Sequence, residues 1–279
     1  MEQVKNEVLV GERAMFASLN KEFINCTFED GESPLKESKN IKVNACSFKW
    51  KYPLWYCNDV EVFDTTWDVT ARSGVWYTNN LVIRDSKINA PKQFRRCNGI
   101  KLNNVEIPNA LETMWMCQNI EIKNTHIVGD YFGMNSKNIV LENVIIDGNY
   151  CFDGGENIKA FNCVFNSKDS FWNCNNVELH NCKIVGEYLA WNTKHITFIN
   201  CQLESLQGLC YIDDLKLVDC KIYNTNLAFE FCSNINATIL TKVDSIKNPI
   251  SGYIRVKGYD ELILDKKFID PEKTIIEVK

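Results

Sequence analysis

The sequence predicts an all-β fold, a single-stranded parallel β-helix of about twelve coils with three short strands per coil and capped ends. Three observations predict it. A ten-residue phrase returns at fixed spacing: NNVELHNCKI at 175–184, KHITFINCQL at 194–203 and DDLKLVDCKI at 213–222. Within each phrase apolar and polar residues alternate with period 2, the signature of a strand with one buried face. An Asn or Asp then follows at a constant place, as a tight corner requires.

Each element can be justified in chain order. The coils are anchored at Asn20, Asn40, Asp59, Asn80, Gly99, Asn119, Asn138, Asn157, Asn176, His195, Asp214 and Asn234, spaced 19 to 21 residues apart. Directly after the anchor comes the first strand, whose buried column includes Ile41, Val60, Leu81, Ile100, Val177 and Ile196. The corner column follows, with Asn25, Asp64, Asp85, Asn104, Asn124, Asn181 and Asn200 among its members. Stacked Asn side chains can pass hydrogen bonds from coil to coil. A second short strand buries Phe28, Phe48, Trp67, Ile88, Phe165 or Ile184. After a variable loop, a third strand buries Leu54, Val75, Phe94, Met114, Phe152 or Phe171 and leads back to the next anchor. Identical columns stacked at about 4.8 Å make a rod on the order of 55–60 Å. The chain reads as one domain over 1–279, with coils over 20–243 and caps at 1–19 and 244–279.

Thirteen cysteines need an account. Cys26, Cys46, Cys163, Cys182, Cys201 and Cys220 follow the corner, and Cys57, Cys97, Cys117, Cys174 and Cys232 stand two residues before an anchor. These columns read as small buried thiols filling a narrow interior. No CxxC pair occurs, and His126, His180 and His195 fall in different columns, so no metal site is expected. No Gly-rich phosphate loop or Ser-His-Asp order is present, and no cofactor is expected.

The net charge of −5 disfavours a nucleic-acid partner, which calls for a basic field. No apolar run approaches the roughly 20 residues of a membrane span. The opening MEQVKNEVLVGERAMF lacks the pattern of a signal peptide, so a cytoplasmic protein with reduced thiols is expected.

The NNVELHNCKI-type repeat resembles the pectin-lyase-like superfamily of right-handed parallel β-helices. More narrowly, the chain resembles a bacterial family of that fold classed as a domain of unknown function. The resemblance covers about residues 20–243 and implies the right hand of the helix. It also implies a scaffold on which many members cleave or bind polysaccharides while others are inert, so function has to be argued from the site.

The place for such a site is the column four residues before each anchor: Trp55, Trp76, Arg95, Trp115, Met134, Asp153, Trp172, Trp191, Cys210 and Glu230. The residue before each is apolar or small, so this column is expected to point outward. Arg96 lies in the adjacent column; Asp130, Tyr131, Asp169, Glu187 and Tyr188 lie in the preceding loops. Aromatic rows with carboxylates suit an oligosaccharide, and a large apolar stripe marks a binding surface. On this reading Trp55, Trp76, Trp115, Trp172, Trp191, Arg96, Tyr131 and Tyr188 bind substrate. Asp153 with Asp130, or Glu187 with Asp169, supplies the two carboxylates of a glycoside hydrolase, and Arg95 stabilises an anion in a lyase. Gly154 and Gly155 are expected to open a notch beside Asp153. The alternative is a non-enzymatic scaffold in which the stripe is covered by a partner or by a second copy in a homodimer. Strict alternation would place the Cys57 column on the same side as the tryptophans, so the chain must bend between the two.

Overall fold

The computed structural model describes all residues, Met1–Lys279. It is a parallel β-solenoid of about 15 turns without an α-helix; its one helical element is a short 3-10 turn, Pro271–Lys273. No helix is long and apolar enough to cross a membrane. The coils are more numerous than the twelve expected, because they continue into both terminal segments. The contacts divide into two compact units, Met1–Val140 and Leu141–Lys279. In a solenoid each coil touches only its neighbours, so contacts cluster by position along the chain.

In the first unit, one parallel ladder joins Glu2–Lys5, Leu19–Ile24, Lys39–Asn44, Asn58–Phe63, Asn79–Ile88, Asn98–Ile107 and Gln118–Lys123. The register aligns Ile41, Val60, Leu81, Ile100 and Ile120, the column expected to be buried, and all five are at most 3% exposed. A second ladder runs through Val8–Leu9, Thr27–Phe28, Ser47–Phe48 and Thr66–Trp67. Its inward rings pack on one another, Phe28 on Phe48 at 4.8 Å and Phe48 on Trp67 at 5.0 Å. Burying each such ring contributes roughly 2–3 kcal/mol relative to leaving it in water.

In the second unit, the corresponding ladder joins Glu156–Phe161, Asn175–His180, Lys194–Ile199, Asp213–Tyr223, Ile235–Ile239, Gly252–Val256 and Thr274–Val278. The second ladder runs from Ile145–Asp147 through Val164–Asn166, Lys183–Glu187 and Gln202–Leu206. Lys242–Lys247 pairs with Gly258–Ile263 in a separate two-stranded sheet.

The corners behave as the sequence requires. Asn25, Asp64, Asn104, Asn124, Asn181 and Asn200 all have positive φ. Their amides form ladders: Asn25 Nδ2 donates to Asn6 Oδ1 at 2.7 Å, and Asn200 Nδ2 donates to Asn181 Oδ1 at 2.8 Å. The anchors do the same, with Asn138 Nδ2 to Asn119 Oδ1 at 3.0 Å and Asn176 Nδ2 to Asn157 Oδ1 at 2.8 Å.

The third segment is less regular than a strand. Between Val75 and Trp115 it contributes only isolated bridges, Trp76 to Arg95 and Arg95 to Trp115. Left-handed residues recur at every second position along it: Phe94 and Arg96, Met114 and Met116, Phe171 and Asn173, and Ala190 and Asn192 all have positive φ. This is the bend that the alternation argument demanded. It lets the tryptophans point outward while Cys57, Cys97, Cys117 and Cys174 turn inward and stay buried.

All thirteen cysteines are free and buried. They hydrogen-bond as Ser and Thr do in neighbouring coils. Cys174 Sγ donates to Phe152 O at 3.0 Å, as Thr78 Oγ1 donates to Leu54 O at 2.7 Å. Burial pushes the Cys57 and Cys151 thiols up to about 12.

Candidate functional site

In the first unit the outward column is a continuous stack. Trp55 lies on Trp76 with ring centroids 5.0 Å apart and planes 8° from parallel. The Arg95 guanidinium sits between Trp76 and Trp115, 4.7 Å from each ring centroid. Every indole also points its N–H at a backbone carbonyl: Trp55 Nε1 to Ser73 O at 2.6 Å, Trp76 Nε1 to Lys92 O at 3.1 Å, and Trp115 Nε1 to Tyr131 O at 2.6 Å. The faces are therefore spent on each other and the polar edges on the backbone. This is a stabilising arrangement worth about 0.5–1.5 kcal/mol per ring pair beyond burial.

Arg95 is a rung of this stack. Its Nε and Nη2 are buried without a hydrogen-bond partner, and its nearest carboxylate, Glu112, is 3.9 Å away and held by Lys92 at 3.1 Å. Ring faces hold this cation in place of hydrogen bonds. Arg96 is exposed beside it, its backbone N–H donating to Trp115 O at 3.0 Å. Asp130 is half-buried, and its carbonyl accepts from the Glu112 N–H at 3.0 Å; Tyr131 is exposed. A parallel row, Tyr56 on Tyr77 at 4.8 Å, flanks the stack.

The second unit is built differently. Trp172 and Trp191 stack at 5.8 Å, with Nε1 of each donating to Tyr188 O at 2.6 Å and Gln207 O at 2.8 Å, respectively. Tyr150 and Tyr188 meet Trp172 edge-on, and Tyr188 meets Trp191 the same way at 5.1 Å. The column then gives way to Cys210, which is buried, and to Glu230, ion-paired to Lys247 Nζ at 2.8 Å. Neither presents an outward group, so the stripe closes there.

Carboxylates gather around these two tryptophans. Asp153 accepts from Asn173 Nδ2 at 2.8 Å, and Asn173 accepts in turn from Asn192 Nδ2 at 2.8 Å. Asp153 is thus the acceptor at the end of an amide ladder. The glycines beside it do not open the expected notch. Gly154, at φ +69°, takes the left-handed position that Asn173 and Asn192 hold in later coils. Gly155 is buried in the cysteine column, where a Cβ would meet Ile158 Cδ1 at 2.8 Å. The two glycines shape the inside of a corner.

Asp169 is the carboxylate with the altered environment. It is only 7% exposed, its N–H donates to Glu187 O at 2.9 Å, and Tyr150 donates a hydrogen bond to its side chain. Burial raises its pKa above the ordinary carboxylate value; the charges of Glu187 and Asp153 push the same way, and the Tyr150 bond opposes them. Glu187 is ion-paired with Lys168 Nζ at 2.9 Å. It lines a groove of about 300 Å³ with Lys168, Val185, Gly186, Glu204, Leu206 and Asn224. The floor is low because Gly186 packs on Ser167, whose carbonyl oxygen would lie 2.0 Å from any Cβ.

The structure therefore brings Asp153, Trp172, Glu187, Tyr188 and Trp191 together in the second unit. Trp55, Trp76, Arg95, Trp115, Arg96 and Tyr131 share a face of the first, and Asp130 belongs to that unit as well. The burial of Asp169 and its bond from Tyr150 carry no distinct sequence signal; only the loop position marked Asp169. A larger groove of about 420 Å³ lies elsewhere in the first unit, at the Asn/Asp corner, lined by Asp64, Asp85, Lys87, Asn104, Glu106 and His126. It is shallow and its walls are exposed corner residues, with Lys87 and Glu106 paired at 2.9 Å. No group of three or more His, Cys, Asp or Glu side chains is arranged to hold a metal ion.

The chain belongs to the family described as "Protein of unknown function (DUF3737)", which it matches over residues 2–277. No curated protein matches it in sequence. Among solved structures it is similar to the tailspike protein of E. coli bacteriophage HK620 in complex with pentasaccharide, at 8% identity and a TM-score of 0.47, covering 91% of this chain and 69% of that one. It is also similar to PfbA, a surface adhesin of Streptococcus pneumoniae, at 10% identity and a TM-score of 0.40, covering 95% and 81%. A third likeness is to the A-module of the Azotobacter vinelandii mannuronan C-5 epimerase AlgE4, at 10% identity and a TM-score of 0.35, covering 99% and 87%.

Proposed function

We propose that this DUF3737 member binds an oligosaccharide at the second-unit face, with Asp169 and Glu187 as the pair that would act on it. The observation that carries this reading is the contrast between two neighbouring carboxylates. Asp169 is buried, hydrogen-bonded by Tyr150 and raised in pKa; Glu187 is ion-paired to Lys168 at the rim of a groove. Two carboxyl groups in unlike environments are what acid–base cleavage of a glycosidic bond needs. Asp169 supplies the proton to the leaving oxygen, and Glu187 supplies the charged partner. Asp153, Tyr188 and the edges of Trp172 and Trp191 offer acceptors and apolar surface to a sugar. The aromatic stripe of the first unit is assigned a structural role, because its faces are already stacked.

The test is a broad oligosaccharide panel, uronic acids included, read by glycan array and by tryptophan fluorescence. Binding that is lost in Asp169→Asn supports the reading. A flat response across the panel contradicts it.

A second reading keeps the protein as a non-enzymatic scaffold. It is favoured by the exposed outer edge of the first unit's stripe, where Tyr56, Met116 and Tyr131 are 38–45% exposed. On that reading a second copy or a protein partner covers those side chains. Light scattering separates the two, since the scaffold version as a homodimer requires twice the monomer mass. Thirteen unpaired thiols support a reducing compartment for either version.

A further inference from the structure

The four cysteines Cys163, Cys182, Cys201 and Cys220 of the second unit follow the corner residue in four successive coils, whose strands pair in register. None is more than 2% exposed. Cys182 is in side-chain hydrogen-bonding reach of both Cys163 and Cys201, and Cys201 of Cys220. The Cys182 N–H also donates to Cys201 Sγ at 3.5 Å. The sulfurs therefore form a file, one per coil. In the equivalent column of the first unit the file is short: Cys26 and Cys46 are followed by Thr65 and Ser86.

A file is the wrong shape for tetrahedral zinc, which needs ligands converging on one point, and no three such groups do so here. It is the right shape for an ion held by two sulfurs in line. Successive coils are about 4.8 Å apart. Two metal–thiolate bonds of about 2.3 Å span about 4.6 Å. Soft thiolate ligands select soft monovalent ions such as copper(I).

We propose that the Cys163–Cys182–Cys201–Cys220 file is a binding site for a soft monovalent cation of the copper(I) or silver(I) class, each ion bridging two sulfurs of successive coils. In the free protein each thiol donates to a backbone carbonyl, as Cys182 Sγ does to His180 O at 3.3 Å and Cys201 Sγ to Leu179 O at 3.4 Å. The cation binds both sulfurs as thiolates, so both S–H bonds break and both protons leave to solvent. The single negative charge left on the pair is met by backbone donors such as the Cys182 N–H on Cys201 Sγ at 3.5 Å. Four thiols make two pairs, so the file takes about two ions. The first unit repeats the N–H to Sγ bond, from Cys26 to Cys46 at 3.3 Å and from Cys97 to Cys117 at 3.4 Å.

The experiment is an anaerobic titration of the reduced full chain with copper(I) acetonitrile complex, repeated with silver nitrate. It is read by ultraviolet thiolate-to-metal absorption, proton release and thermal midpoint. Wild type is expected to take up ions with both thiol protons of a pair released for each, and with a higher midpoint. Cys182→Ser/Cys201→Ser leaves no adjacent pair in the file and should lose about two ions. Ser is compatible with this column, since Ser86 Oγ occupies it in the first unit and donates to Arg84 O at 2.7 Å. If the double variant fails to fold, Cys201→Ser alone should lose about one ion, keeping the Cys163–Cys182 pair. Cys151→Ser, a buried cysteine outside the file, should lose none. No uptake by wild type, or uptake unchanged in the file variants, overturns the proposal.

Discussion

The same column of the repeat is used in two ways. In Met1–Val140 it is filled by Trp55, Trp76, Arg95 and Trp115, a continuous stack in which each member lies on the next. In Leu141–Lys279 it holds only the Trp172–Trp191 pair, bordered by Asp153 and by the Asp169–Glu187 carboxylates. One region covers its surface with stacked rings; the other surrounds its ring pair with hydrogen-bonded and ion-paired carboxylates. A row of tryptophans is therefore not in itself a sugar platform. What decides is whether the ring faces meet each other or meet solvent, and here they meet each other.

The largest expected effect lies in the stack. Trp76→Ala removes the contact with Trp55, one face of the Arg95 sandwich and the bond to Lys92 O. It should cost about 3 kcal/mol in a denaturant melt while leaving any ligand affinity of the second unit unchanged. Loss of affinity with intact stability would erase the distinction between the regions.

Next is the amide ladder. Asn173→Ala loses the hydrogen bond to Asp153 and puts a non-glycine, non-Asn residue at φ +53°. A cost of about 1–2 kcal/mol is expected from the chemical-denaturation midpoint. A neutral result would mean that the ladder does not hold Asp153.

Asp169→Asn should move stability the other way. The folded chain holds the Asp169 proton more tightly than the unfolded chain does. Its contribution is therefore fully present below the unfolded value, near 3.8, and is lost as pH rises through the folded pKa. The amide removes that loss and can still accept from Tyr150. A higher thermal midpoint at pH 7, with no gain near pH 3, is expected; equal gains at both would assign the effect to something other than titration.

The smallest effect belongs to Lys168→Ala. Its ion pair with Glu187 is exposed, so the change should lower the thermal midpoint by the smallest shift of the four, and the effect should shrink further in high salt.

Much of the fold was legible because each column repeats one physical demand: apolar inside, Asn or Asp at a left-handed corner, a small hydrogen-bonding residue beside it. The end coils were not legible because there the demand changes. Glu2 and Lys21 stand where later coils place Ile41, and they pair as ions at 3.2 Å. At the other end, Gly252 lies in register with Ile235 and Thr274, so the spacing leaves the 19–21 rule. Gly252 is needed because a Cβ there would lie 2.2 Å from Ile235 O. For the site, the outward direction of the tryptophans was readable, but the ring contacts were not. Period 2 says which side a side chain leaves, not which way its plane turns. The burial of Asp169 was hidden for a similar reason, since it depends on Tyr150 in the coil before and Glu187 in the coil after.

The most direct test sets the two regions against each other in one titration. An oligosaccharide that quenches wild-type tryptophan fluorescence would be titrated calorimetrically into Asp169→Asn and Trp76→Phe. The account predicts that Asp169→Asn abolishes binding and that Trp76→Phe, which keeps a stacked ring, binds as wild type does. Binding lost in Trp76→Phe and retained in Asp169→Asn would contradict it and move the site to the first unit.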